Sequence, residues 1–304
     1  MTDARHLTQE LGGRWHGRYG AASCPVCQPE RRNGQNALTL ADGNGGRLML
    51  HCKKSACGFL DILAASGLRS GEYTPPDPAT LAKREAEGRA EAMKRAEQAK
   101  RLWRESQPID GTVAEAYLRG RGITCALPRT LRFHPDCWHG PTAKRYPAMV
   151  AAVQGSGAAA VHRTYLRIDG SDKAALDGDE KLMLSSTQGG AVRLKSGPGV
   201  LLIGEGIEST LSAFILYGDP TANAWAALSA SGMRGLCLPR LGSFGGLGAG
   251  RDSLIIAVDG EKVGRDAGRG LAERAVGLGW QVSIADPGDG CDFNDRLIGK
   301  GRVA

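Results

Sequence analysis

The chain has 304 residues, 41% of them hydrophobic and 5% aromatic, with 44 glycines; that is enough apolar content for two or three packed domains and excludes wholesale disorder. Its 39 Lys and Arg against 32 Asp and Glu leave a formal charge of +7, which suits a polyanionic partner such as nucleic acid as well as plain solubility. The opening MTDARHLTQELGGRW is polar and no apolar run approaches the ~20 residues of a membrane span, so the expectation is a cytoplasmic protein with no membrane partner, whose 8 cysteines are ligands or core thiols rather than disulfides.

Residues 1–70 hold four of those cysteines. Cys24 and Cys27 form a CPVC knuckle, Cys52 and Cys57 lie in HCKKSACGF, and ALTLADGNGGRLMLHC between them reads as strand, Gly-rich turn, strand. Zinc takes four thiolates at tetrahedral corners, and a hairpin that returns a second pair to a first knuckle builds a zinc ribbon. The expectation is one structural Zn²⁺ on Cys24, Cys27, Cys52 and Cys57. The second pair has four intervening residues instead of two, and His51 is an alternative to Cys52, although a strand neighbour points to the other face. Arg31, Arg32, Lys53 and Lys54 flank the knuckles as candidate contacts to a template strand. Cys125, Cys137, Cys237 and Cys291 have no ligand spacing.

A Pro-rich break, YTPPDPAT, introduces LAKREAEGRAEAMKRAEQAKRLWRES, where Ala82, Ala86, Ala90, Met93 and Ala96 recur at helical spacing on a polar background. Residues 71–108 are therefore expected to form a charged, solvated helical linker. Next, Thr112 and Glu115 stand at capping-box spacing before Tyr117 and Leu118, and Gly120 and Gly122 close the helix. YPAMVAAVQ and AAAVHRTYLRI then read as strands joined by a GSG turn, giving an α+β segment over 109–199.

From Val200 the pattern alternates between buried strands (VLLIGEG, SLIIAVDG, WQVSIADP) and helices (ESTLSAFILYG, RDAGRGLAERAVGLG), as in a parallel sheet covered on both faces. LGSFGGLGAGRDS resembles a phosphate loop only in glycine content; it lacks GxxxxGK[ST] and precedes a strand, so it reads as a flexible connector. Acids recur after the strands: Glu205 (with Glu208) after VLLIG, Asp259 and Glu261 in DGEKVG, and Asp292 and Asp295 in PGDGCDFNDRL. Ligands of open parallel sheets bind at the carboxyl ends of strands, so these acids are expected to converge there. Gathered carboxylates repel one another unless a cation neutralises them, and Mg²⁺ (or Mn²⁺) suits oxygen ligands and a substrate phosphate. Taken singly, each acid has a plainer use as a cap or turn residue, DFND above all.

EGIES, DGEKVG and DFND in this order resemble the Toprim domain of bacterial primases, topoisomerases and related nucleases, and the Cys-rich start, RYPAMVAAVQGSGAAAVHRTYL and KLMLSS extend the resemblance to primases of phages and plasmids. It implies an α/β Toprim fold (a Rossmann-like parallel sheet, 200–304) preceded by an α+β subdomain (109–199) and an N-terminal β zinc ribbon (1–70). It also implies a DNA primase, a nucleotidyltransferase making RNA primers from ribonucleoside triphosphates on a single-stranded DNA template, with a replicative helicase supplied in trans. Glu205, Asp259 and Glu261 would be catalytic, and with Asp292 and Asp295 would hold Mg²⁺. Arg163 and Lys181, and less closely Arg145 and Arg167, match the nucleotide- and DNA-binding positions. The family usually has Asp-x-Asp where this chain has Asp259-Gly260-Glu261. Two rivals share parts of the pattern: a Toprim nuclease or topoisomerase, and a non-enzymatic zinc/Toprim recombination mediator that clamps DNA.

Overall fold

The computed structural model describes residues 3–32, 34–43, 47–68, 73–176, 179–242 and 252–299; most of the glycine-rich connector, 243–251, lies outside them. The chain divides into two compact units, residues 1–93 and 94–304. Among the described residues no helix is long and apolar enough to cross a membrane.

In the first unit, helix α1 (Ala4–Glu10) starts at Asp3, whose carboxylate accepts the His6 N–H at 2.7 Å. Four antiparallel strands follow, paired in sequence order: β1 (Arg14–Trp15), β2 (Gly20–Ala22), β3 (Leu38–Gly43) and β4 (Arg47–Cys52). Helix α2 (Phe59–Ala65) closes a small core in which Leu7, Leu38, Leu40, Cys24, Cys52 and Ile62 are buried.

Helix α3 (Pro78–Glu105) contributes its first part to this unit and its last part to the second. Most of its surface is wet, as its composition requires, but the helix is not a plain connector. In the first unit Arg84 donates to Asp3 at 2.6 Å and to Asp42 at 3.1 Å, with its side chain largely buried. In the second unit Ala99 is fully buried against Val150 and Val161.

The second unit holds two sheets. The first is antiparallel in sequence order: β5 (Gln107–Pro108), β6 (Leu131–His139), β7 (Lys144–Val153), β8 (Ala160–Tyr165) and β9 (Lys181–Leu184). Strand β6 carries Pro135 in its middle, and the register shifts between His134 and Cys137, a bulge that accommodates the missing N–H. Helix α4 (Val113–Gly120) packs Tyr117 and Leu118 into the core. Its expected reciprocal cap does not form: Glu115 accepts the Gly111 N–H at 2.7 Å, while the Thr112 hydroxyl donates back to Ile109 O.

The second sheet is built from β10 (Val192–Lys195), β11 (Leu201–Gly204), β12 (Asn223–Ala226), β13 (Ser253–Ala257) and β14 (Gln281–Ala285), in spatial order β10–β12–β11–β13–β14. The last four are mutually parallel, and β10 runs antiparallel on the edge. Sequence pattern assigns β10 to the preceding subdomain. Its alternation of buried Val192 and Leu194 with exposed Arg193 and Lys195 instead suits an edge strand, with Arg193 over the Trp225 ring.

Strand β11 is buried at all four positions, as a central strand covered on both faces must be. Helix α5 (Ile207–Tyr217) covers one face with Ile207 and Leu211, and α7 (Lys262–Gly277) covers the other with Ala267, Leu271 and Ala275. Two short helices, α6 (Ala230–Gly235) and α8 (Phe293–Leu297), complete the unit. The chain leaves β11 toward β12 on one side and later returns as β13 on the other. The ends of β11 and β13 therefore flank a topological switch point, where open α/β sheets form their crevice.

Candidate active site

The four cysteines meet. Their Sγ atoms all lie within 4.8 Å of one another, and Cys27 and Cys52 are 3.5 Å apart; a tetrahedron with Zn–S of ~2.3 Å has edges of ~3.8 Å. Cys52 supplies the third thiol and His51 points outward, as strand alternation demands. The longer second knuckle turns through Ala56, which takes a left-handed φ of 48°. Against burial, N–H groups of Ser55, Cys57 and Lys54 favour the Cys52 thiolate, whereas burial and the neighbouring thiols push Cys24 and Cys57 up; a bound cation would favour all four thiolates. Arg31, Arg32, Lys53 and Lys54 are all exposed around this site.

The acids also converge. Glu205, Asp259, Glu261, Asp292 and Asp295 line one cleft of about 290 Å³, together with Val263, Gly264, Gly290 and Cys291. Glu205 follows β11 directly, Asp259 stands two residues beyond β13, and Glu261 is the N-cap residue of α7. The turn between them is fixed by backbone contact. A Cβ on Gly260 would stand 1.8 Å from the Gly288 carbonyl, so only glycine fits between Asp259 and Glu261. Gly260 also donates to Cys291 O at 2.8 Å and accepts from Gly290 N–H at 3.1 Å. These bonds tie the loop before α8 to the β13–α7 turn and bring the last two acids to the cleft.

Asp292 and Asp295 do cap α8. Asp292 Oδ1 accepts the Asp295 N–H at 2.8 Å, and Asp295 Oδ2 accepts the Asp292 N–H at 3.2 Å. A capping box uses one oxygen of each carboxylate, so the cap and a cleft-lining role coexist.

Electrostatics mark Asp259 as the crowded member. Burial raises its pKa to about 7, and repulsion from Glu205, Asp292 and Glu261 adds to this against a smaller opposing pull from Lys181. Its Oδ1 is buried and has no hydrogen-bond partner among the described residues. Glu205 is also pushed upward by burial, although an Ala230 N–H, Lys181 and Arg234 oppose the shift. Apart from the cysteines, no group of three or more ligand atoms among the described residues is drawn as tightly together. The carboxylates stand along the cleft walls.

Of the basic residues singled out from sequence, only Lys181 reaches this region. On β8 and β9, Thr164 pairs with Lys181 and Arg163 pairs with Leu182; directly opposed residues share a face and successive residues alternate. Arg163 therefore lies on the other face of the antiparallel sheet. It donates to Trp138 O at 3.2 Å and to Met183 O at 3.3 Å, and lines a separate groove with Arg101, Trp138 and Arg145. Arg145 sits 5.8 Å from the centre of the exposed Trp138 ring, and Arg167 is exposed in the turn after β8.

Sequence reasoning missed the residues that back the cleft. Glu208, three positions after Glu205, does not line it: its carboxylate pairs with Lys181 at 3.0 Å and accepts the Tyr117 hydroxyl at 2.8 Å. Burial would raise the Glu208 pKa, but Lys181 and these hydrogen bonds hold it down at about 2. His162, fully enclosed beside Lys181, is held neutral with a pKa of about 4, chiefly by burial. Asn294 of α8 donates to Arg121 O and to Ser212, so the helix bearing the last acids is anchored to the end of α4.

Comparison with known families gives two matches. Residues 93–194 match a domain of unknown function, DUF7146, and residues 200–302 match the family described as Toprim domain. The C-terminal α/β segment is a Toprim domain. No characterised protein in the curated collections matches the chain. Among solved structures, the chain is similar to a DNA primase domain from Pseudomonas aeruginosa (16% identity, 68% of this chain and 75% of that one, TM-score 0.41). It is also similar to the Aquifex aeolicus primase with its zinc-binding and RNA polymerase domains (13%, 99% and 83%, 0.39). A third is the primase fragment of the bacteriophage T7 primase-helicase protein (14%, 65% and 72%, 0.38).

Proposed function

We propose that the chain is a DNA primase of phage or plasmid type, a nucleotidyltransferase that joins ribonucleoside triphosphates into short RNA primers on single-stranded DNA. The observation that carries the reading is the meeting of five carboxylates from three successive strand ends of the Toprim domain on one cleft, with Lys181 beside them. The donor set is all oxygen, and Asp259 Oδ1 is buried without a partner among the described residues. Such a set fits a hard divalent ion, Mg²⁺ or Mn²⁺, which Glu205, Asp259, Glu261, Asp292 and Asp295 would hold. When bound, the ion supplies polarisation of the α-phosphate and shielding of the leaving pyrophosphate.

The chain's own groups do the rest. Glu205 accepts the proton of the attacking 3′-hydroxyl, directly or as a ligand of the ion. Lys181 sets a fixed positive charge against the triphosphate. Glu261, one methylene longer than the aspartate usual at its position, reaches the cleft from the N-cap of α7. Arg163 and Arg145, which line the separate groove, and the exposed Arg167 are assigned to the template. In this reading 1–70 is a zinc ribbon that helps hold DNA, 71–108 is a linker, 109–199 supplies the basic contacts and 200–304 supplies catalysis.

The test incubates the protein with Mg²⁺, labelled ribonucleoside triphosphates and random single-stranded DNA. Short RNA products are expected, and Glu205→Gln is expected to abolish dinucleotide synthesis while leaving DNA binding intact; retained synthesis overturns the assignment. In a parallel incubation of labelled single-stranded DNA with Mg²⁺ and no nucleotides, cutting of the strand would make the cleft a nuclease site. Binding without product under any divalent ion would make the chain a clamp.

A further inference from the structure

The Lys181 ammonium lies against the turn between β11 and α5. A Cβ on Gly206, the residue after Glu205, would stand 3.9 Å from Lys181 Nζ and 3.6 Å from Glu208 Oε2. A lysine stem has four rotatable bonds and ample rotamer freedom, so a charge that must stay at one place needs a fixed partner. Glu208 is placed for that. Its Oε2 accepts from Nζ at 3.0 Å, its Oε1 accepts the Tyr117 hydroxyl at 2.8 Å, and its side chain is 7% exposed.

The support continues outward. Tyr117 is fully enclosed, and the Arg121 guanidinium sits 5.3 Å from its ring centre while pairing with Asp172 at 2.9 Å. Three elements meet here: α4 carries Tyr117, α5 carries Glu208 and β9 carries Lys181. Glu208 is buried but the Lys181 side chain is 38% exposed, and an ion pair with one end in water contributes little to stability. Its presence is better explained by what it points at. The pair also keeps the ammonium charged, since the field of Glu208 raises the Lys181 pKa against burial.

We propose that Glu208, braced by Tyr117, is a positioning residue: it holds the Lys181 ammonium at the edge of the acid cleft to receive the phosphates of a nucleoside triphosphate, and takes no part in holding the divalent ion. This rests on the primase reading for the identity of the triphosphate. Glu208 lies three residues from Glu205, but its two oxygens are occupied by Lys181 and Tyr117, whereas Asp259 Oδ1 is not occupied among the described residues.

The test measures two affinities on the full chain: Mn²⁺ alone, by electron paramagnetic resonance, and a fluorescent ribonucleoside triphosphate in saturating Mg²⁺. Glu208→Gln is expected to weaken the triphosphate about tenfold, the loss of one charge-assisted phosphate contact, and to leave Mn²⁺ affinity within about twofold. Lys181→Ala should lose as much, and the double variant no more than either single one, because the two residues act through one contact. Glu208→Asp should recover part of the loss. Tyr117→Phe, which keeps the ring and removes only the hydroxyl, should show a smaller loss of the same kind, and it decides the matter should Glu208→Gln fail to fold. Unchanged or tighter triphosphate binding in Glu208→Gln, or in Tyr117→Phe when that variant decides, overturns the proposal. Parallel loss of Mn²⁺ overturns it as well, by making Glu208 a metal ligand. If Lys181→Ala weakens the triphosphate and Glu208→Gln does not, the positioning role fails and the primase reading survives. If no triphosphate binds the Mg²⁺-loaded wild type, the primase reading itself fails.

Discussion

Replacing Asp259 by asparagine should make the protein more stable without Mg²⁺ and insensitive to Mg²⁺. The Asp259 carboxyl titrates near 7 in the folded protein against an ordinary 3.8. At about 1.4 kcal/mol per tenfold change in proton affinity, carrying its charge costs the folded state up to about 4 kcal/mol above pH 7. Coupling to Glu205, Asp292 and Glu261 and partial solvent access reduce this to about 2–3 kcal/mol. Because the folded-state pKa is raised, the cost is absent below about pH 4, grows between pH 4 and 7 and is complete above 7. Ion-free wild type should therefore lose stability between pH 5 and 8, and Asp259→Asn should lose less. At pH 8 the variant should melt about 5–10 °C higher in the unit that contains it. Saturating Mg²⁺ should stabilise wild type by about 2.7 kcal/mol at a hundred times Kd and do nothing for the variant. Calorimetry of protein dialysed free of Mg²⁺, with zinc retained, reads all of this. A variant no more stable at pH 8, or one that Mg²⁺ stabilises as well as it does wild type, would refute the reasoning.

Three further outcomes are expected. Cys52→Ser should lower zinc content, measured colorimetrically, below one per chain and unfold the first unit, while His51→Ala should keep both, because only Cys52 joins the thiol cluster. Gly260→Ala must push away the Gly288 carbonyl 1.8 Å from its new Cβ; it should cost about 1–3 kcal/mol of stability and weaken Mn²⁺ binding by displacing the loop before α8. Asn294→Ala removes two hydrogen bonds of a buried side chain, at a cost of about 1–3 kcal/mol by thermal melting, and should weaken Mn²⁺ binding less than Asp259→Asn does.

Features with a local cause were legible in the sequence. The CPVC knuckle and the strand–turn–strand that follows it determine the cysteine cluster. The choice of Cys52 over His51 follows from alternation alone. Glu205 and Asp259 could be placed because an apolar strand ending in a carboxylate is a local pattern, and the parallel sheet then fixes which strand ends are neighbours. What escaped depends on long-range register. Arg163 and Lys181 looked alike as basic residues on one antiparallel sheet, yet pairing of Thr164 with Lys181 puts them on opposite faces. Glu208 looked like a companion of Glu205, but its partners, Lys181 and Tyr117, come from distant elements that no periodicity links to it. Strand β6 was hidden by Pro135, which a bulge absorbs. The charged helix looked wholly solvated because its composition does not reveal that Arg84 finds Asp3 and Asp42.

The most direct measurement is a Mn²⁺ titration, followed by electron paramagnetic resonance, of wild type, Glu205→Gln and Asp259→Asn. Saturable binding by wild type that both variants lose is the predicted result, the one expected of a single ion held jointly by acids from separate strands. Equal binding by all three proteins would contradict the account, because the carboxylates lining the cleft would then hold nothing in common.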